Sequence, residues 1–193
     1  MKLWILSDMH ADRGIDDIAV TPPEFDAFVC AGDVRTSDID MSIEMVAWLA
    51  SGKPAVFAAG NHEWAGAPPE VVAYKGQAAA KRHGVHWLER DSVKFAGVRF
   101  AGATLWTPDD ARFAASAAAL RAAKAEVIVT HFPPSPGIIL PTLKEGGLWI
   151  YGHHHGHSDR TIAGRRLIRN AGHEGEAVDG EQVQPAFVVE FEP

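Results

Sequence analysis

Five short apolar runs, separated by segments of helical composition, constrain the fold of this chain more than any other feature. Each run has the length and composition of a buried strand. The runs cover Lys2–Leu6, 27–31, 54–59, Val127–Thr130 and Leu148–Tyr151. Segments 37–50, 68–83 and 109–124 lie between them and have the composition of helices. Because strands that alternate with helices form parallel sheets, we expect an α/β fold with a largely parallel sheet.

Later segments predict a second sheet of a different kind. Runs 93–96 and 98–103 flank Gly97, and runs 161–162 and 165–168 flank Ala163 and Gly164, so each pair is typical of a hairpin. The last run, 186–191, indicates a closing strand. We therefore expect a mixed or antiparallel second sheet. At 193 residues with 47% hydrophobic content, the chain is expected to form one domain over residues 1–193.

Composition excludes several classes of protein. The formal charge of −7 argues against broad nucleic-acid binding, which relies on a basic surface. Cys30 is the single cysteine, so a thiolate cage for zinc is excluded. The sequence has no apolar stretch near the roughly 20 residues of a membrane helix, and its start lacks the pattern of a secretory signal. We expect a cytoplasmic location without membrane contact, and the oligomeric state cannot be predicted.

Polar side chains of the kind that bind metals follow each of the five runs directly. They are Asp8, His10, Asp33, Asn61, His131, His153 and His155. Because open α/β sheets place their ligand sites at the carboxyl ends of strands, we expect these side chains to converge. In extended chain, Asp8 and His10 would point to the same side. A glycine precedes three of the five groups, which favours a sharp turn or a close approach. Carboxylate, imidazole and amide ligands favour Mn²⁺, Fe or Zn²⁺.

The ordered set Asp-x-His, Gly-Asp, Gly-Asn-His-Glu, a later His and Gly-His-x-His resembles the calcineurin-like metallophosphoesterase superfamily. The resemblance runs from Asp8 to His155 and implies a four-layer sandwich, with two facing mixed β-sheets flanked by α-helices. It also implies two divalent ions. Asp8, His10, Asp33 and His155 would hold one ion. Asp33 would bridge to the second, which Asn61, His131 and His153 would also hold.

The implied activity is hydrolysis of a small phosphate ester, a phosphodiester or a phosphomonoester, by a water that two metal ions activate. His62 would be the general acid, and Asp33 and Asn61 would share the catalytic work. Asn61, His62, Arg35 and His173 would contact the substrate. His173 closes a segment, 170–173, that is equally consistent with a plain turn. Trp64 and Trp106 stand near the motif loops, where either would line the pocket.

One departure from the family pattern affects the substrate. Where the phosphoprotein-phosphatase branch has an Asp and an Arg after the bridging Asp, this chain has Thr36 and Ser37. Arg35 and Asp38 are near enough in sequence to replace them. A phosphoprotein substrate is therefore not favoured, and the short stretch between Trp106 and His131 predicts an open site. Two alternatives stay open: a scaffold of the same fold with weak or no catalysis, and a nuclease.

Overall fold

The structure is a computed structural model that describes residues 1–14, 20–172, 177–178 and 181–192. Within this part of the chain, α-helices and β-strands alternate as the sequence predicts. The helices are α1 (Ile39–Ala50), α2 (Pro69–His83), α3 (Phe113–Ala123) and α4 (Pro136–Thr142). In the described residues, no helix combines the length and the apolar character needed to cross a membrane. The cytoplasmic location stays a prediction.

The first sheet has five strands. They are β1 (Lys2–Leu6), β2 (Ala27–Cys30), β3 (Ala55–Phe57), β4 (His86–Trp87) and β13 (Val188–Glu190). Their order is β13-β1-β2-β3-β4. Strands β1 to β4 pair in parallel, and β13 pairs antiparallel with β1. The carboxyl ends of β1, β2 and β3 consequently lie side by side at one edge.

The second sheet has six strands. They are β5 (Asp91–Phe95), β6 (Val98–Ala103), β7 (Val127–Thr130), β8 (Leu148–Tyr151), β9 (Gly156–Ile162) and β10 (Arg165–Ala171). Their order is β5-β6-β7-β8-β10-β9. The inner strands β6, β7, β8 and β10 are parallel, whereas the edge strands β5 and β9 are antiparallel hairpin partners. The predicted mixed sheet is confirmed. A separate two-stranded sheet joins β11 (Ala177–Val178) to β12 (Glu181–Gln182).

Three buried apolar clusters show that the molecule has four layers. One cluster joins one face of the first sheet to α1 and α2. A second joins the opposite face of that sheet to the second sheet, and a third joins the far face of the second sheet to α3 and α4. Alternate strand residues divide between the clusters: Trp4 and Leu6 face α1, whereas Leu3 and Ile5 face the other sheet. The predicted sandwich of two sheets flanked by helices is confirmed.

Several element boundaries differ from the sequence prediction for identifiable reasons. Helix α3 begins at Phe113 rather than 109, because the Asp110 carboxylate accepts a hydrogen bond from the Arg112 backbone N–H (2.8 Å) and forms a turn there. Strand β9 begins at Gly156, five residues before the predicted start, because the polar residues 156–160 of this edge strand contain no apolar run that would indicate a strand. Trp48 has apolar neighbours in the sequence, yet it is 53% exposed, because it lies on the face of α1 opposite Ile43 and Val46.

Candidate metal centre

The two sheets present their carboxyl ends to each other at one end of the sandwich. Ser7, just beyond β1, donates its backbone N–H to the Asn170 carbonyl (3.1 Å), and it forms a parallel bridge with Ala171 at the end of β10. The Asn170 side chain is buried and donates to the Ile5 carbonyl (2.8 Å). Residues 170–171 therefore belong to a strand that joins the sheets, rather than to a turn. His173 lies outside the described residues.

The first group of candidate ligands comes from both sheets. Asp8 and His10 follow β1, His155 follows β8, and ligand atoms of all three lie within 4.8 Å of one another. The Nε2 atoms of His10 and His155 are 3.2 Å apart, and His155 Nε2 lies 3.7 Å from Asp8 Oδ1. Imidazole nitrogens bind a metal at about 2.0–2.1 Å, so this separation fits two ligands of one ion.

The second group surrounds Asp33, which follows β2. Asp33, His131 and His153 offer ligand atoms within 4.8 Å of one another. His131 Nε2 lies 3.3 Å from Asp33 Oδ2 and 2.9 Å from the Asn61 side-chain oxygen. Asp33 also groups with His10 of the first set and with His62. The structure thus brings together all seven predicted ligands, with Asp33 between the two groups.

The hydrogen bond on the far side of His131 determines which nitrogen faces the candidate site. His131 is fully buried, and its Nδ1 lies 2.8 Å from the Ala31 carbonyl oxygen. A carbonyl only accepts, so Nδ1 carries the hydrogen and donates it. Nε2 is the nitrogen turned toward Asp33 and Asn61, where a metal ligand is required. Such a hydrogen bond from the rear nitrogen is usual for metal-binding histidines.

The pKa values indicate a site that accepts positive charge. Burial lowers the pKa of His131, but the hydrogen bond to Asp33 and the charges of Asp8 and Asp33 outweigh it and raise that pKa to about 9. Burial and the nearby charge of His131 lower the pKa of His153 to about 4. Burial opposes ionisation of Asp33, yet its contacts with His131 leave the pKa below the usual value. Without metal, a proton on His131 therefore balances the carboxylates.

The backbone of the ligand loops corrects one expectation. Asp8 (φ 56°) and His10 (φ 44°) are in the left-handed region rather than extended, as are Asp33 (φ 52°) and His153 (φ 67°). Residues other than glycine rarely adopt this conformation, which costs on the order of 1–3 kcal/mol each and is concentrated at functional sites. The strained backbone, rather than strand alternation, aims these side chains inward.

The predicted close approach at the glycines is confirmed at all three positions, of which Gly60 and Gly152 lie against carboxylates of proposed ligands. A Cβ on Gly60 would collide with the Asp33 carboxylate and would lie 2.7 Å from His131 Nδ1. On Gly152, a Cβ would lie 2.5 Å from Asp8 Oδ2. The site therefore has room for its ligands only because neither position carries a side chain.

Glu63 is a residue beside the candidate site that the sequence reasoning did not single out, although it ends the Gly-Asn-His-Glu motif. It is 1% exposed, and its carboxylate accepts backbone hydrogen bonds from Asp33 (3.0 Å), Val34 (2.7 Å), Arg35 (3.1 Å) and Gly60 (2.7 Å). The buried Ser42 hydroxyl donates a fifth hydrogen bond (3.0 Å). Glu63 thereby fastens the loop after β2 to the loop after β3, which together carry Asp33 and Asn61.

His62 is held by a chain of hydrogen bonds that replaces the missing aspartate. Its Nδ1 lies 2.9 Å from the Thr36 hydroxyl, which lies 3.1 Å from Asp12 Oδ2; the Thr36 backbone N–H also donates to Asp12 Oδ1 (2.7 Å). The hydrogen bond from the Thr36 backbone lowers the pKa of Asp12, so its ionised carboxylate accepts a hydrogen bond from the Thr36 hydroxyl. His62 Nδ1 must then donate to Thr36, and Nε2 lies 3.8 Å from Asp33 Oδ2.

The two neighbouring acids have different contacts in this geometry. Asp12 holds Thr36 in place. Asp38 does not replace the missing Asp, since its carboxylate accepts from the Met41 N–H (3.1 Å) and caps α1. Arg35 is part-buried on the Thr36 loop, where its Nη2 donates to the Asp12 carbonyl (2.9 Å).

Other aromatic and histidine residues of the motif segments lie around the candidate ligands. Trp64 and Trp106 both line a cavity beside the ligand loops, although none of the seven proposed ligands lines it. His154 is exposed. His157 Nδ1 lies 3.3 Å from the Asn170 side-chain oxygen, and its ring is 4.5 Å from that of Phe187. His157 thus packs against Phe187, the residue directly before β13.

Comparison with known proteins agrees with this architecture. Phosphopantetheinyl hydrolase from Mycobacterium tuberculosis has a TM-score of 0.60 and 16% identity, with 89% of each chain covered. A Staphylococcus aureus protein described as a 5′-nucleotidase has a TM-score of 0.50 and 12% identity, with 87% of this chain and 48% of that chain covered. At such identities the likeness shows the fold alone. None of the curated proteins compared with the chain matches it significantly.

The sequence itself provides the assignment to a family. The model of the calcineurin-like phosphoesterase superfamily domain matches residues 1–192, which is nearly the whole chain. The family's fold is the sandwich described above, and the side chains that its motifs contain are the ones that meet at the end of the sandwich. This chain belongs to the calcineurin-like phosphoesterase superfamily.

Proposed function

We propose that this protein is a metal-dependent phosphoesterase that hydrolyses small phosphodiesters or phosphomonoesters at a centre of two divalent ions, with His62 as general acid. One observation carries the proposal. The candidate ligands form two groups, within each of which the ligand atoms lie within 4.8 Å of one another, and Asp33 lies within that distance of His10 in the first group and of His131 and His153 in the second. The donors are oxygen and nitrogen without thiolate, which supports Mn²⁺, Fe or Zn²⁺.

The proposed roles follow from the contacts of each residue. When bound, a pair of divalent ions supplies an activated water and neutralises phosphate charge. Asp33 contributes one carboxylate to both groups, whereas Asn61 offers a neutral oxygen and adds no negative charge beside the phosphate. The Thr36 hydroxyl oxygen accepts a hydrogen bond from His62 Nδ1, which leaves Nε2 facing Asp33. In its protonated form, His62 donates the Nε2 proton to the leaving oxygen.

Arg35 is the candidate that replaces the missing arginine. The Arg35 backbone N–H donates to the Glu63 carboxylate (3.1 Å), and Arg35 Nη2 donates to the Asp12 carbonyl (2.9 Å). These two hydrogen bonds restrain the position of Arg35 on the loop that also carries Thr36, the partner of His62. A guanidinium binds phosphate oxygens through charge-assisted hydrogen bonds. We assign it to substrate binding. His173, which lies outside the described residues, stays a predicted substrate contact.

The completeness of the site favours an enzyme over the two alternatives. A scaffold that had lost catalysis would be expected to lack a ligand or the general acid, yet all seven ligands and His62 are present in the described residues. The net charge of −7 disfavours a nuclease, because binding a nucleic-acid backbone requires basic surface.

Turnover with and without metal tests the proposal. Purified protein, stripped with a chelator and reloaded with Mn²⁺, is assayed with an aryl phosphomonoester and an aryl phosphodiester. We expect activity that requires the metal and that falls by a factor of about 10²–10⁴ in His62→Ala, the usual effect of losing a general acid. His154→Ala is the matched control, because His154 is an exposed histidine of the same site region. Equal activity with and without metal, or in His62→Ala and wild type, would refute the proposal.

A further inference from the structure

Beside the ligand loops lies a cavity of about 320 Å³, which we name the tryptophan pocket. Its walls include Trp64, Trp87 and Trp106. Its volume is at the lower end of the range of pockets that bind small organic molecules, about 300–1,000 Å³. No role in metal binding accounts for it.

The tryptophan pocket adjoins the candidate metal centre on two sides. Trp64 follows His62 by two residues along the chain. On the other side, the Phe132 N–H donates to the Thr104 carbonyl (3.1 Å), so the segment after β6 lies beside the segment after β7. The Phe132 ring is 5.7 Å from the Trp106 ring and 4.2 Å from the His153 ring. Phe132 therefore packs between Trp106, a wall of the pocket, and the proposed ligand His153.

The walls of the tryptophan pocket are held in place before any ligand arrives. Trp64 Nε1 donates to the Thr104 hydroxyl (2.8 Å). The Arg112 guanidinium lies over the Trp106 ring, 3.3 Å from its centroid, and is itself paired with Asp110 (2.6 Å). Leu105 (φ 71°) and Trp106 (φ 49°) both have left-handed backbones, which are unusual for large side chains and persist where the surroundings require them. The indole of Trp106 is thus a fixed surface.

The charges around the tryptophan pocket select against anions. Both arginines of the lining lie beside a carboxylate: Arg112 beside Asp110 (2.6 Å) and Arg90 beside Glu89 (3.7 Å). Glu70 and Asp91 add two further negative charges to the lining. A phosphate group would therefore be repelled. Arg112 already covers one face of Trp106, so a ligand cation cannot stack on that face. Aromatic walls without a free positive charge fit a flat, uncharged ring.

We propose that the tryptophan pocket binds an uncharged aromatic or heteroaromatic ring of the ester substrate, while the phosphate lies at the ligand cluster. The position of the phosphate at the ligand cluster rests on the proposed phosphoesterase function, whereas the binding of a ring in the tryptophan pocket does not. Ring binding and phosphate hydrolysis are therefore tested separately.

The binding test uses adenosine, which has the ring and lacks the phosphate, on the metal-free protein. Three of the six tryptophans line the tryptophan pocket, so intrinsic fluorescence reports occupancy. Ala73→Leu adds a larger side chain to the lining from α2, and Ala78→Leu makes the same change on the exposed face of that helix. We expect saturable binding to the wild type and to Ala78→Leu, and binding at least about tenfold weaker in Ala73→Leu, because a filled pocket excludes the ring. Gln77→Trp fills the same pocket if Ala73→Leu folds poorly.

The activity test compares adenosine 5′-phosphate with glycerol phosphate on the Mn²⁺-loaded protein. We expect kcat/KM to be about tenfold or more higher for the nucleotide, the factor expected when an organic group adds binding in the transition state. This preference should decrease toward unity in Ala73→Leu. Absence of saturable adenosine binding, equal affinity in Ala73→Leu, or tighter binding of choline than adenosine would overturn the proposal. Adenosine binding without any turnover would instead contradict the phosphoesterase function and leave the ring site standing.

Discussion

Glu63→Gln removes the centre of the hydrogen-bond network that joins the two ligand loops. Oε2 accepts from two backbone N–H groups, those of Asp33 (3.0 Å) and Gly60 (2.7 Å), and Oε1 accepts from three donors. A glutamine keeps one acceptor oxygen, so in its better orientation its NH₂ faces the two N–H groups. Each buried donor left without an acceptor costs about 1–3 kcal/mol, which gives about 2–6 kcal/mol in total.

An opposing effect reduces this loss. Burial, together with the charge of Asp33, raises the pKa of Glu63, so the neutral amide avoids part of the cost of a buried charge. We therefore expect the lower end of the range, about 2 kcal/mol, from a free energy of unfolding that is typically about 5–15 kcal/mol.

Denaturant unfolding of the metal-free protein, followed by circular dichroism, measures the change. Glu44→Gln is the matched control, because Glu44 is exposed on α1 and should change the free energy of unfolding by less than about 0.5 kcal/mol. If Glu63→Gln unfolds at the same denaturant concentration as the control, the hydrogen bonds of Glu63 do not stabilise the ligand loops and the reasoning fails.

Three further predictions concern the chemistry of the site. Thr36→Val should lower kcat by about tenfold with little change in KM, because His62 Nδ1 loses its hydrogen-bond acceptor. Thr36→Ser, which keeps the hydroxyl, should retain the wild-type rate. A kcat in Thr36→Val equal to that of the wild type would contradict this role. The pKa of His131, raised to about 9, means that metal must displace its proton at neutral pH. Calorimetry in buffers of different ionisation enthalpy should show proton release at pH 7.5, and Mn²⁺ affinity that rises toward pH 9 and then levels; pH-independent affinity would contradict the assignment. Gly60→Ala should weaken Mn²⁺ binding by about tenfold or more, because its Cβ would disturb the geometry of the ligands. Gly137→Ala is the control, since a Cβ there would meet no other atom within 4 Å. Equal Mn²⁺ affinities of the two variants would contradict the steric argument.

The convergence of the ligands could be predicted because it depends on local sequence and one rule of topology. Each candidate follows an apolar run, and parallel strands bring their carboxyl ends to the same edge. The way in which Asp8 and His10 meet could not be predicted, since their left-handed backbones depend on contacts made elsewhere in the fold. The Asp8 carboxylate, for example, accepts from the His153 N–H (3.0 Å), which belongs to the other sheet.

The partners of His62 show the limit of sequence proximity as an argument. Arg35 and Asp38 were expected to replace the missing residues because they are near in sequence. The carboxylate that fulfils this role is Asp12, which is 24 residues from Thr36 along the chain and reaches it across the ends of β1 and β2. A pairing between two loops leaves no local pattern to detect.

Other features that the sequence does not predict also have physical explanations. The apolar neighbours of Trp48 in the sequence do not indicate its exposure, because its angular position on α1 turns it to solvent. Helix α4 was not predicted, because it has only seven residues and contains Pro141, which lacks the N–H of a helix interior. Its buried Ile138 and Ile139 pack in the cluster below the second sheet, so tertiary contacts stabilise a helix that propensity does not favour.

The position of metal in a crystal tests the central claim most directly. Crystals of the protein soaked in Mn²⁺ are measured at the manganese absorption edge, for the wild type and for Asp33→Ala. We expect two anomalous peaks about 3.5–4 Å apart on either side of the Asp33 carboxylate, the spacing of two-metal hydrolytic centres, and at most one peak in Asp33→Ala. A wild-type map with no peak, or with a single peak remote from Asp33, would contradict the proposed dinuclear centre.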